Sequence, residues 1–380
     1  MQLTSLSLTN FRSYRSLDLP LGPGLTMVHG DNAQGKSNLL EAVYLLAIGK
    51  SYRATTEREL VSWEAADAGG YAIVAARVSR GDGPWELRVG FDCAGGAPSG
   101  VVKRIRVNGA PKRASELVGV MTAVLFSAED IDLVFGSPQG RRRYLDILLS
   151  QQSRHYVQAL QRYQRVLLQR NHLLRAMREG RAGADELTFW DDSLCREGAD
   201  VLSARYDAME RLAPLVSEAF ARLAGGEQAL SVSYAATTPW DERPSPELFA
   251  QALALTQAQE RAAAMTVVGP HRDDLRLELG DVELVRHASR GQGRLAALGL
   301  RIAEGQLLHE RTGDAPIILL DDVLSELDPR RRELVLGEAL RYPQALVTTA
   351  DPAQIMDGIE ARWLRMSDGV VTEEPARPQG

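Results

Sequence analysis

Gly30-Asp31-Asn32-Ala33-Gln34-Gly35-Lys36-Ser37 decides how this 380-residue chain is read. The octet fits G-x-x-x-x-G-K-[ST], whose glycines let the backbone curl until its N–H groups face a phosphate. At that spacing Lys36 can reach the β and γ phosphates of a nucleotide, and the Ser37 hydroxyl can ligate Mg²⁺. The surroundings agree. Leu25 to Val28 is a short apolar run of buried-strand length, and 39–48 reads as a helix whose positive N-terminus lies behind the anion. The eight loop residues and Asn38 after them are therefore nucleotide-binding candidates, with ATP and Mg²⁺ as the expected ligands.

A phosphate loop needs a second, acidic site. Ile317-Ile318-Leu319-Leu320-Asp321-Asp322 supplies four apolar residues for a buried strand and two carboxylates at its end. Asp321 is expected to hold Mg²⁺ with Ser37, through water, and Asp322 stands where a general base for hydrolysis would stand. Ser289-Arg290-Gly291-Gln292-Gly293 forms a second turn, leading into a helix over about 294–311. Such a turn is another anion site. One nucleotide does not need both, but two copies arranged head-to-tail would, with Ser289 acting in trans on the partner's γ phosphate. Ser325-Glu326-Leu327-Asp328 then matches the segment that lines such a seam.

The rest of the chain bounds the answer. At 44% hydrophobic and 25% charged residues it is of ordinary globular composition, which excludes disorder and fibrous repeats. The longest apolar run, 39–48, carries Glu41 and falls short of the roughly 18 residues of a membrane span. The N-terminus lacks a signal-peptide core, and two isolated cysteines, Cys93 and Cys195, fit a reducing compartment, so a cytoplasmic location is expected. Net charge is −6, yet 141–178 holds nine arginines against one acid, Asp146. That is a local electrostatic feature; a solvated helix face is the ordinary alternative, and it is weakened because acidic partners at helical spacing are missing there. If the chain binds DNA, as the family resemblance given below implies, Arg141, Arg142, Arg143, Arg154, Arg162 and Arg165 are the leading candidates for the contacts, with Lys103, Arg104 and Arg106 as a second surface.

Alternating patterns at 71–79, 85–91 and 101–107, the last before Asn108-Gly109, predict an antiparallel sheet. Ser137-Pro138 starts a helix, and helical spacing continues to about 223, with Pro214 expected to kink or break it. The expected division is an N-terminal ATPase part over 1–135, a helical arm over 136–235 and a C-terminal ATPase part over 236–380, ending in a loose tail at 373–380.

In this order, these motifs resemble the ABC-type ATPase heads of the SMC-like class, and within it the RecF family of bacterial repair proteins. Further matching elements are Asn10-Phe11-Arg12-Ser13-Tyr14, Phe126-Ser127-Ala128-Glu129-Asp130 and Gly269-Pro270-His271-Arg272-Asp273-Asp274-Leu275. The resemblance implies an α/β P-loop head, a mixed sheet with helices and an antiparallel β subdomain, carrying an inserted helical arm. It implies an ATP-gated homodimer that binds single- and double-stranded DNA, hydrolyses ATP slowly with DNA stimulation, and helps RecO and RecR load RecA at gaps and stalled forks during recombinational repair and the SOS response. Arg12 matches an arginine that contacts nucleotide phosphates in related heads. Three departures from transporter-type heads point to slow turnover: Asp322 in place of a glutamate, Ser127 and Glu129 where a glutamine loop would lie, and Thr349 where a switch histidine would lie. His271 has no metal-ligand spacing and is expected to be structural or interfacial. A transporter ATPase subunit, a metabolic kinase and a DNA-binding module with a structural nucleotide are the competing classes.

Overall fold

The computed structural model describes residues 1–93, 100–226, 229–238, 243–352 and 359–375. The chain opens with β1 (Gln2–Phe11), β2 (Tyr14–Pro20), β3 (Gly24–His29) and the helix α1 (Lys36–Ile48). There follow α2 (Trp63–Asp67), β4 (Tyr71–Arg80), β5 (Gly83–Asp92), β6 (Val102–Val107), β7 (Ala110–Lys112), α3 (Ala114–Leu117) and β8 (Ala123–Ser127). A mainly helical stretch holds α4 (Asp132–Phe135), α5 (Pro138–Gln152), α6 (Arg154–Arg178), α7 (Leu187–Ala224), β9 (Leu230–Ala235) and α8 (Pro246–Ala263). Then come β10 (Asp274–Leu279), β11 (Val282–Glu283), α9 (Leu284–His287), α10 (Arg290–Thr312), β12 (Ile317–Asp321), α11 (Pro329–Ala339), β13 (Gln344–Thr349), β14 (Ala361–Ser367) and β15 (Val370–Glu374).

The chain divides into two compact units, 1–130 with 301–380 and 131–300. The first holds two six-stranded sheets. One is mixed, in the order β15-β14-β3-β13-β12-β8, with only β15 antiparallel to its neighbour. Its strands β12 and β13 are almost wholly buried, with apolar runs at 317–320 and 345–347, as strands covered on both faces must be. The other, β2-β1-β4-β5-β6-β7, is antiparallel throughout and alternates buried with exposed residues along β4 and β5. α1 is buried on nearly every side because it packs against strands of both sheets. That explains why 39–48 is apolar all round rather than striped.

The second unit, described by itself, pairs α6 with α7 and adds the three-stranded sheet β11-β10-β9. Its core gathers Tyr156, Tyr163, Leu194, Leu202 and Phe249. It takes in more chain than the arm expected over 136–235, because α8, β10 and the Ser289 turn belong to it as well. Pro214 lies inside α7, which continues through it for 38 residues, so the expected break does not occur. The proline ring is exposed while Leu212 and Val216 beside it are buried, so the carbonyl it frees lies toward water and packing carries the helix through. α8 occupies a stretch to which the sequence patterns above assign no element, although Ser245 caps it by accepting from the Leu248 N–H and Pro246 occupies its first turn. The same Ser-Pro signal announces α5. Of the expected tail, Glu373 and Glu374 lie in β15, and 376–380 fall outside the described residues.

Candidate nucleotide site

The loop between β3 and α1 adopts the backbone its composition requires. Gly30, Ala33 and Gly35 all have positive φ, at 152°, 66° and 105°. A Cβ on Gly30 would come within 2.3 Å of the Met366 carbonyl oxygen, and one on Gly35 within 2.7 Å of Ser13 Oγ, so both positions need glycine for space as well as for conformation. Tyr14 braces the loop by donating its hydroxyl to the Gly35 carbonyl at 2.9 Å. The Asp368 N–H donates to the Gln34 side chain, tying the β14–β15 turn to the loop. Lys36 is buried, and its Nζ donates to the carbonyls of Gly30 (2.6 Å) and Asp31 (2.8 Å), inside the curl. Burial lowers the Lys36 pKa, opposed by the fields of Asp322, Asp321 and Asp31.

The acidic end of β12 meets this loop. Ser37 Oγ donates to Asp321 Oδ1 at 2.7 Å, across 284 residues of sequence. Tyr52 donates its hydroxyl to Asp321 Oδ2 at 2.8 Å, and Thr348 donates to Oδ1 at 3.0 Å. Burial first, then the Asp321 charge, pushes the Tyr52 hydroxyl well above the ordinary tyrosine range, which keeps it a donor. Asp322 follows in the left-handed region, with φ 53°, and its N–H donates to Thr348 Oγ1 at 2.9 Å. Burial raises the Asp322 carboxyl above its usual value, Lys36 opposes the shift, and Asp321 adds to it. Asp322 Oδ1 is buried without a hydrogen-bond partner among the described residues. A serine hydroxyl and a carboxylate oxygen in contact, beside a second carboxylate, form a hard-oxygen donor set that fits Mg²⁺.

Tyr52 and Thr348 are absent from the sequence-based site. A tyrosine four residues past a helix end and the first of two threonines closing a strand fit no motif. It is Thr348 rather than Thr349 that touches the acidic pair; the Thr349 hydroxyl instead donates to the Asp351 carbonyl at 3.1 Å. Arg12 sits at the β1–β2 turn and makes a two-pronged pair with Glu41 of α1, at 2.9 and 2.8 Å. Glu41 is fully buried and also accepts from the Ser51 hydroxyl. Near the end of β8, Asp130 accepts from the Ser127 N–H and from Arg301, whose Nη1 reaches the buried Glu304, while Glu129 is exposed.

In the second unit, the Ser289 turn is a helix cap. The Ser289 N–H donates to Gln292 Oε1 (2.9 Å) and the Gln292 N–H donates back to Ser289 Oγ (3.2 Å), a reciprocal capping box. Ser289, Arg290 and Gly291 are exposed at the head of α10. Gly293 is buried, and a Cβ there would lie 2.3 Å from the Phe135 ring. In the first unit, Ser325 donates to the Asp322 carbonyl at 2.7 Å, and Asp328 caps α11 by accepting from the Arg331 N–H.

The basic stretch is less open than its sequence implies. Arg141 is buried and paired with Asp274 at 2.7 Å through both prongs, Arg142 donates to the Asp273 carbonyl, and Arg162 pairs with Glu197. Fully buried Arg170 bonds Asp191, Glu260 and Thr266. The missing acids are thus supplied from 21 to 133 residues away rather than at i±4. Of the six candidates, Arg143, Arg154 and Arg165 are exposed. On the antiparallel sheet, Lys103 is likewise engaged, with the Gly49 carbonyl and Glu57. The 269–275 motif is internal to the unit: Asp273 accepts from Tyr234 and Thr237, Arg205 donates to the Pro270 carbonyl, and His271 lies between Tyr163 and Thr266. Only Nε2–H can serve the Thr266 carbonyl, so Nδ1 accepts from Tyr163. No group of three or more histidine, cysteine or carboxylate side chains placed to hold a metal occurs among the described residues, and none of the described helices is long and apolar enough to cross a membrane.

The phosphate loop, the acidic strand end and the capped Ser289 turn on an α/β fold define an ABC-type ATPase head of the SMC-like class. The model of the RecF/RecN/SMC N-terminal domain matches residues 2–372. "DNA replication and repair protein RecF" of Herpetosiphon aurantiacus is 43% identical over 92% of this chain and 94% of its own length, and that of Chloroflexus aggregans is 41% identical over 97% and 99%. The solved structure of the recombination mediator protein RecF-ATP in the RecFOR pathway covers 98% of this chain and 97% of its own, with TM-score 0.87 and 30% identity. An Smc head bound to the C-terminal winged-helix domain of ScpA shares the fold, at TM-score 0.57 and 18% identity. The chain belongs to the RecF family.

Proposed function

We propose that this chain is an ATP-operated DNA-binding protein of replication and repair. The observation that carries the reading is the convergence of Lys36 and Ser37 with Asp321 and Asp322 at one point of the fold. ATP binds in the curl of Gly30 to Ser37, where Lys36 exchanges its carbonyl partners for phosphate oxygens. Ser37 and Asp321 would hold Mg²⁺, which would supply charge neutralisation to the phosphates. Asp322, with one oxygen unsatisfied and its basicity raised by burial, orients the attacking water and takes its proton. A shorter side chain than glutamate reaches that water less well, so turnover is slow.

The exposed Ser289 turn closes over the nucleotide of a second copy, making a homodimer. Closure brings basic groups together, Arg143, Arg154 and Arg165 among them, on single- and double-stranded DNA. These contacts are to the backbone and so largely independent of sequence. The RecF-ATP relative of the RecFOR pathway supports work with RecO and RecR. Through them the chain helps load RecA at gaps and stalled forks, in the cytoplasm. Ser289→Arg tests the shared site. ATP binding by equilibrium dialysis is expected to be unchanged while ATP-dependent dimerisation is lost; a variant that dimerises like the parent overturns the reading.

A further inference from the structure

We infer that Tyr52 is a positioning residue for the divalent cation, holding the Asp321 carboxylate in the orientation in which it and Ser37 share Mg²⁺. The inference rests on the Mg–ATP reading of the loop. Asp321 Oδ1 accepts from both Ser37 and Thr348, whereas Oδ2 accepts from Tyr52. A ligating Ser37 can keep donating its proton to Oδ1 while an oxygen lone pair turns to the cation, provided the carboxylate plane does not rotate. Tyr52 supplies the hydrogen bond on the far oxygen that fixes that plane. Its own placement is enforced twice. The ring packs edge-on against Tyr44 of α1, with centroids 5.9 Å apart and planes at 84°. The preceding Ser51 ties the backbone down, accepting from the N–H groups of Arg53 (2.9 Å) and Ala54 (2.8 Å) while it donates to Glu41. The hydroxyl therefore reaches Asp321 because the turn after α1 is locked, and nothing in the phosphate-loop motif requires a tyrosine there.

Tyr52→Phe removes the hydroxyl and keeps the ring against Tyr44. The test is ATP binding by the full chain, titrated with MgCl₂ from a chelated start and repeated in EDTA alone. Loss of one hydrogen bond to a charged group is expected to raise the half-saturating Mg²⁺ concentration by about tenfold. Affinity in EDTA should stay within about twofold of the parent, because Tyr52 has no part in the phosphate curl. An unchanged Mg²⁺ requirement would overturn the assignment and leave the Mg–ATP reading standing. Equal losses with and without Mg²⁺ would also overturn it, marking Tyr52 as merely structural. A parent chain whose ATP binding ignores Mg²⁺ would remove the reading on which the inference rests.

Discussion

Arg12→Ala separates two roles that the β1–β2 turn could serve. By resemblance, Arg12 touches the nucleotide; in the structure it is the two-pronged partner of Glu41, a carboxylate with no exposed side-chain surface on the helix that carries the phosphate loop. Removing the guanidinium leaves Glu41 with the Ser51 hydroxyl as its remaining hydrogen-bond partner. Breaking a buried pair from one side costs about 3–5 kcal/mol. Arg12 is 20% exposed, so some water can follow the vacated side chain and the lower end applies, about 3 kcal/mol. In a unit of about 200 residues, that lowers Tm by about 6–12 °C. Thermal unfolding without nucleotide, followed by circular dichroism near pH 7.5, measures it directly. Adding Glu41→Gln to the variant removes the stranded charge and should recover part of the loss. A nucleotide-free Tm within about 2 °C of the parent would refute the clamp and leave Arg12 with a purely ligand-facing role.

Gly293→Ala places a methyl against the Phe135 ring and should weaken ATP-dependent dimerisation while sparing ATP binding, with about 1–3 kcal/mol of local destabilisation. Sedimentation of the variant with ATP, beside its ATP binding by equilibrium dialysis, checks the prediction. His271 is held neutral by burial, its pKa pushed down to about 4. Its contribution to stability is therefore complete above the unfolded value near 6.5 and is lost as pH falls from there through 4, about 2–3 kcal/mol by pH 4.5. Urea unfolding at pH 7 and 4.5 should show that His271→Gln shrinks the difference between the two pH values by that amount.

What the sequence makes legible here is whatever local chemistry enforces. The phosphate loop, the apolar strand ending in Asp321-Asp322 and the turn at Ser289 to Gly293 leading into a helix are each complete within a few residues, so they can be read without tertiary information. The alternation of β4 and β5 is legible for the same reason. Tyr52 and Thr348 are not, because a hydroxyl becomes part of a site only through what folding brings near it. The basic stretch misleads in the opposite direction. A search for acids at i±4 assumes an isolated helix, whereas Arg141 and Arg170 find Asp274 and Glu260 across tertiary contacts that no helical spacing encodes. Pro214 shows packing overriding propensity: a breaker on the exposed face is tolerated when buried residues on either side anchor the helix.

Sedimentation velocity of the purified chain in Mg²⁺, first without nucleotide and then with ATP, reads the shared nucleotide site out as oligomeric state. A shared site built from the phosphate loop of one copy and the Ser289 turn of another predicts a monomer that becomes a dimer only with ATP. A chain that stays monomeric at saturating ATP, with and without DNA, would contradict it.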